Sequence, residues 1–103
     1  MKALVVKKNQ KMSIEEVAEP TVGTGEVRIK LKAASINKRD YWISVGKYPD
    51  IQPEVVLGSD GAGIIDKIGD EVSKTWQDRS VIINPNINWG DNPLVQGKNY
   101  KIL

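Results

Sequence analysis

Apolar and polar positions alternate from Ala3 to Lys7 and again from Met12 to Val17, with Asn9-Gln10 between the two runs. This pattern predicts an opening β-hairpin. The clearest strand is Val27 to Ala33, in which Val27, Ile29, Leu31 and Ala33 share one face and Arg28, Lys30 and Lys32 the other. The first face is expected to be core and the second to meet water. Pro20 to Gly25 reads as the loop before it, because one proline and two glycines break either periodicity.

Past Ser35 the period changes. Asn37 suits a helix N-cap, Asp40 lies three residues on, and Gly46 falls where a short helix would stop, so a helix is expected from Lys38 to Val45. Ile36 and Tyr41 are spaced to act as a hydrophobic staple at its start. Tyr48-Pro49 to Pro53 is expected as loop. The run Gly58-Ser59-Asp60-Gly61-Ala62-Gly63 leads into a strand through Ile68 that ends at Gly69-Asp70, its small residues permitting close backbone packing. Val81-Ile82-Ile83 is expected as a last short buried strand halted by Asn84-Pro85, and Asn86 to Leu103 as an irregular polar lobe. Short strands, one short helix and frequent turns favour a mainly β, barrel-like domain over a βαβ sheet. No internal repeat is present.

Composition narrows the chemistry more than the fold. A chain of 103 residues with 40% hydrophobic and 27% charged residues fits one soluble domain. No apolar stretch reaches the roughly 18 residues of a membrane span, and the Met1 to Lys7 start does not read as a secretory signal, so a cytoplasmic setting is expected. The net charge of +2 and the Lys7, Lys8 and Lys11 cluster, with no interleaved aromatics, do not suggest nucleic acid. There is neither Cys nor His, which removes disulfides, thiol catalysis, thiolate metal sites and the commonest zinc ligand and general base.

The linked spacing Asn37-x-x-Asp40, Gly46-x-Tyr48-Pro49, Leu57 to Gly63 and Gly69-Asp70-x-Val72 resembles the catalytic-domain pattern of medium-chain dehydrogenases and reductases, nearest the zinc-independent quinone oxidoreductase branch. The resemblance implies a GroES-like partly open β-barrel with one short helix over about residues 38–45 and an irregular C-terminal lobe. It implies that residues 1–103 form that domain alone, truncated, without the dinucleotide-binding domain that follows it in the family. NADP or NAD would then bind in the full-length parent, in the cleft between domains, and not to this chain alone.

Departures from the zinc-dependent branch are informative. By the resemblance, Asn37 stands where those enzymes place a catalytic Cys, and Gly58-Ser59-Asp60 where they place Gly-His-Glu. One carboxylate does not make a catalytic zinc site, which takes three protein ligands. The structural-zinc lobe would fall in Trp89 to Leu103, where Asp91 is the one metal-type side chain. No metal is expected at either place. Without a Lewis acid, developing enolate or alkoxide charge needs placed hydrogen-bond donors.

The resemblance implies catalytic roles for Asn37, Tyr41 and Tyr48, and cofactor contacts for Asn37, Lys38 and Trp42. Arg39 falls at a position that often carries a proton-relay hydroxyl. A guanidinium stays charged and cannot relay a proton, which makes a small-molecule quinone or enone the expected substrate. Each residue also has a plainer reading. Asn37 caps the helix, Asp40 is structural, Tyr41 and Trp42 are core, Lys38 and Arg39 form a solvated helix end, and Ser59 and Asp60 sit in a turn. Gly58-x-x-Gly61-x-Gly63 lacks the G-x-G-x-x-G order of a phosphate loop. A GroES-like assembly module without chemistry, or an inactive truncated remnant, stays open beside the reductase, as does homo-oligomerisation.

Overall fold

The opening alternation folds as a hairpin. In the computed structural model, which describes residues 1–49, 51 and 54–103, β1 (Lys2–Val6) pairs antiparallel with β2 (Met12–Glu16), Leu4 facing Ile14 and Val5 facing Ser13. The turn closes through Lys7 N–H on Lys11 O and Gln10 N–H on Lys7 O, both at 2.9 Å. Val5 and Val6 are both buried. Neighbouring strand residues point to opposite faces, so β1 is covered on both sides. Its partner β2 leaves Met12 and Ile14 at the surface.

After the loop that ends at Glu26 comes β3 (Val27–Ser35), and then α1 (Lys38–Ser44) and β4 (Val55–Val56), which joins the other edge of β1. The helix stops one residue short of expectation: Val45 is its C-cap and Gly46 turns left-handed at φ 74°. Asp40, Ile43 and Ser44 are the buried residues of α1. Part of the loop expected through Pro53 falls on Asp50, Gln52 and Pro53, which lie outside the described residues. No helix among the described residues is long and apolar enough to cross a membrane.

β5 (Asp60–Ile68) is the centre of a second antiparallel sheet, with β3 on one side and β6 (Ser80–Ile82) on the other. Pairing with β3 runs from Val27 opposite Ile68 to Ser35 opposite Asp60, and slips between Arg28 and Ile29 and again between Leu31 and Ala33. Each slip bulges one strand and bends the sheet. The uniform core face expected for β3 is not realised: Ile29 is half-buried, but Val27 and Ala33 are exposed and Leu31 is 53% exposed. The two bulges break strict alternation, so a single-face reading does not hold along β3. The last strand is likewise not buried as expected. β6 is a sheet edge, and Ile82 on it is 83% exposed.

The C-terminal lobe is more ordered than its composition suggests. β7 (Asn86–Ile87) pairs with β8 (Lys101–Ile102), the Trp89 and Tyr100 rings meet edge to face at 5.3 Å, and Tyr100 Oη donates to Asn86 Oδ1 at 2.7 Å. The architecture is mainly β, in three sheets that do not join into one closed barrel. Among the described residues, Val5, Val6, Ile43 and Ile65 are the buried apolar side chains. The radius of gyration is 15.2 Å, against about 13 Å for a compact domain of this length. The open shape and small core have one cause: much apolar surface has no layer over it.

Candidate functional site

The β3–β5 register builds the site. Ser35 pairs with Asp60, and Asn37 follows two residues later, so the start of α1 is delivered to the start of β5. Asn37 Nδ2 donates to Asp60 Oδ2 across that junction. Beneath it lies Asp40, 2% exposed. Its Oδ2 accepts from Asn37 N–H and its Oδ1 from Gly58 N–H, each at 2.9 Å. Two charge-assisted hydrogen bonds are what a buried carboxylate requires, and here they join two separate strips of backbone. Asp40 is therefore structural, as expected.

Asn37 does less capping than its position suggests. The helix opens in a capping box, with Asn37 Oδ1 on the side of Asp40 N–H. That N–H nevertheless makes its hydrogen bond to the Asn37 backbone carbonyl, at 3.0 Å. The side-chain amide is committed instead to Asp60.

Arg39 is not a solvated helix end. Its Nη1 donates to Ser59 Oγ at 2.9 Å and to Leu103 O at 3.3 Å, and its guanidinium carbon lies 4.9 Å from the centre of the Tyr48 ring. Ser59 Oγ in turn donates to Leu103 O at 2.7 Å. Arg39 Nε is buried with no hydrogen-bond partner among the described residues. Nor are Ser59 and Asp60 simply turn residues: Asp60 begins β5 and holds the Asn37 side chain before α1, and Ser59 holds Arg39 within it. Tyr48 is half-buried and borders a small cavity with Val6 and Ile43.

The helix carries the other candidates at the surface. Tyr41 and Trp42 are 58% and 44% exposed and meet edge to face at 5.2 Å, so neither is core. The staple with Ile36, itself mostly exposed, does not seal. Lys38 is exposed and lies four residues before Trp42, on the same helix face. No side-chain hydrogen bond or ring contact among the described residues joins Lys38, Tyr41 or Trp42 to Asn37 or Tyr48. The structure thus assembles Asn37, Asp60, Ser59, Arg39 and Tyr48 and leaves the helix-face residues as a separate surface. Arg39 and Asp60 were the residues missed as partners, and the pairing of residues 35 and 60 was the signal that would have found them.

The donor set does not suit zinc. An amide, a hydroxyl and one carboxylate offer neither thiolate nor imidazole, and the carboxylate is engaged by Asn37. Among the described residues no three metal-type side chains cluster.

A family model described as the alcohol dehydrogenase GroES-like domain matches residues 23–102. A zinc-type alcohol dehydrogenase-like protein of Schizosaccharomyces pombe is 52% identical over 68 residues, covering 65% of this chain and 20% of that protein. An acryloyl-coenzyme A reductase of Metallosphaera sedula is 39% identical over 74 residues, covering 71% of this chain and 22% of that protein. Among solved structures, an NAD-dependent alcohol dehydrogenase superposes with a TM-score of 0.85 at 30% identity, over 100% of this chain and 33% of that one. The chain spans a third or less of the length of these proteins.

Proposed function

The chain belongs to the alcohol dehydrogenase GroES-like domain family, and on that premise we propose that it is the substrate-side part of a nicotinamide-dependent oxidoreductase that reduces enones or quinones without zinc. The observation that carries the reading is the hydrogen bond between Asn37 and Asp60. By the resemblance above, these positions belong to metal ligands in the zinc-dependent branch. Here residue 37 is an amide that donates to the carboxylate at residue 60. The zinc-type relative from Schizosaccharomyces pombe favours the metal, but this chain's own residues lack the ligands for it.

A carbonyl oxygen that gains negative charge during reduction is stabilised by donors fixed in place before the reaction. Asn37 keeps one Nδ2–H beyond that given to Asp60, and Tyr48, its ring beside the Arg39 guanidinium, carries a phenol hydroxyl. These are the proposed carbonyl donors. NADP or NAD, when bound, supplies the hydride. Lys38, Trp42 and Tyr41 are the residues of this chain that would border it: a cation suits a phosphate, and two uncovered rings suit a flat heteroaromatic. The dinucleotide-binding domain is the proposed partner. Similarity to an acryloyl-coenzyme A reductase supports an electron-poor double bond as the substrate class.

The test is turnover of the complete enzyme with Asn37→Ala and Tyr48→Phe. Loss of an oxyanion donor lowers kcat by about 100-fold or more, whereas loss of a cap costs on the order of 1 kcal/mol of stability. A fall in melting temperature with unchanged turnover per folded molecule would return both residues to packing roles. Stoichiometric zinc that resists chelation and is bound by these residues would overturn the metal-free reading.

A further inference from the structure

We propose that Asp60 is a positioning residue: it fixes the Asn37 side-chain amide so that one Nδ2–H is held toward the substrate carbonyl. This rests on the role given to Asn37 above.

The chemistry of the pair sets the orientation of the amide. An ionised carboxylate only accepts, so the Asn37 NH₂ group must face Asp60 and Oδ1 must face the helix. An Asn NH₂ has two protons. One is given to Asp60, and the second has no partner among the described residues. Left alone, the χ2 torsion of an asparagine is broad, and the amide would present either its oxygen or its nitrogen to a substrate. The oxygen would repel a developing oxyanion. Holding the amide in one orientation removes that alternative.

The acceptor stands on fixed backbone. Asp60 is paired with Ser35 in the sheet. Ser59, just before it, is bound to Arg39 and to the Leu103 carbonyl, and Gly58 is tied by its N–H to buried Asp40. The helix does not draw the amide away from Asp60: the capping box leaves Asn37 Oδ1 on the side of Asp40 N–H, and that N–H makes its hydrogen bond to the Asn37 backbone carbonyl. The action of Asp60 is geometric rather than electronic. A carboxylate accepting one N–H makes the other a weaker donor, so its negative charge brings no gain by itself. It follows that an asparagine at residue 60, whose own carbonyl accepts the same N–H, should serve nearly as well.

The experiment measures kcat and KM of the complete enzyme for Asp60→Ala, Asp60→Asn, Asn37→Ala and the double variant Asn37→Ala/Asp60→Ala, with a melting curve for each. Asp60→Ala is expected to lower kcat by up to about 100-fold, the scale of a misplaced group, with KM for the nicotinamide little changed. Asp60→Asn is expected to restore most of the turnover. In the double variant, the loss of Asp60 should add nothing to the loss of Asn37. Three results would overturn the proposal: multiplicative losses in the double variant, Asp60→Asn as harmful as Asp60→Ala, or an unimpaired Asp60→Ala beside an impaired Asn37→Ala. An unimpaired Asn37→Ala would instead remove the functional reading on which the proposal rests. Side-chain amide resonances of the 103-residue chain give a measurement independent of turnover. The two Asn37 Nδ2 protons, kept inequivalent in any asparagine by the partial double bond, should be separated more widely than in a solvent-exposed asparagine and should return to that ordinary separation in Asp60→Ala, and an ordinary separation in the unaltered chain would also overturn the proposal.

Discussion

Gly63→Ala puts a methyl group where β3 already lies. A Cβ at residue 63 would fall 2.1 Å from the Lys30 carbonyl oxygen, 2.8 Å from its carbon and 3.0 Å from Ile29 Cγ2, against 3.4 Å or more for ordinary contact. The obstacle is backbone, held in the ladder on both sides by the pairs Lys30–Ile64 and Leu31–Gly63. It can yield only if the strands part by more than an ångström, which strains the core and weakens neighbouring ladder bonds. Overpacking costs about 1–3 kcal/mol and each weakened hydrogen bond about 1 kcal/mol more, so a loss of roughly 2–4 kcal/mol is expected. For a domain of this size that is a fall in melting temperature on the order of 8–16 °C, read by far-UV circular dichroism and checked by urea unfolding. Gly61→Ala is the control, because its nearest obstacle is the tip of the Leu31 side chain at 2.8 Å, which can rotate away. A Gly63→Ala melting point within about 2 °C of the parent, or a larger loss from Gly61→Ala, would refute the account of how β3 and β5 pack.

Asp40→Ala leaves two backbone N–H groups without their acceptor and should cost roughly 2–4 kcal/mol. Asp40→Asn, which keeps one accepting oxygen, should cost less, and hydrogen exchange should speed up at the Asn37 and Gly58 amides in both. Acid should act partly through Asp66. Its hydrogen bonds from Arg28, at 2.9 and 3.3 Å, hold its carboxyl below the ordinary carboxylate value. A lowered folded-state pKa stabilises above the unfolded value, near pH 4, and the contribution is lost as pH falls through the folded value. Asp66→Asn should therefore flatten the acid limb of a stability profile, and an unchanged limb would show that the pair does not couple to folding.

The elements were largely legible in the sequence, because alternation in β1 and β2, the spacing around α1 and the glycines before β5 are local signals. Burial was not. Leu31 and Ile82 read as core because they are apolar on short strands, but their exposure depends on bulges and sheet edges, which no single strand reveals. Asn37 and Tyr48 became candidates by motif, whereas Arg39 and Asp60 read as solvent and turn. Their partners lie 20 and 23 residues away, and only the β3–β5 register brings them close. The order within the C-terminal lobe likewise rests on contacts such as Trp89 with Tyr100 that composition does not disclose.

The grip of Asp40 has a consequence for how such a site changes over time. Asp40 holds the N–H groups of residues 37 and 58, and every residue except proline has one. The backbone at residue 37 and at residue 58, next to positions 59 and 60 of the proposed site, is thus anchored without regard to the side chains there. A lineage can exchange a ligand for an amide there, one substitution at a time, and inherit the same platform at each step.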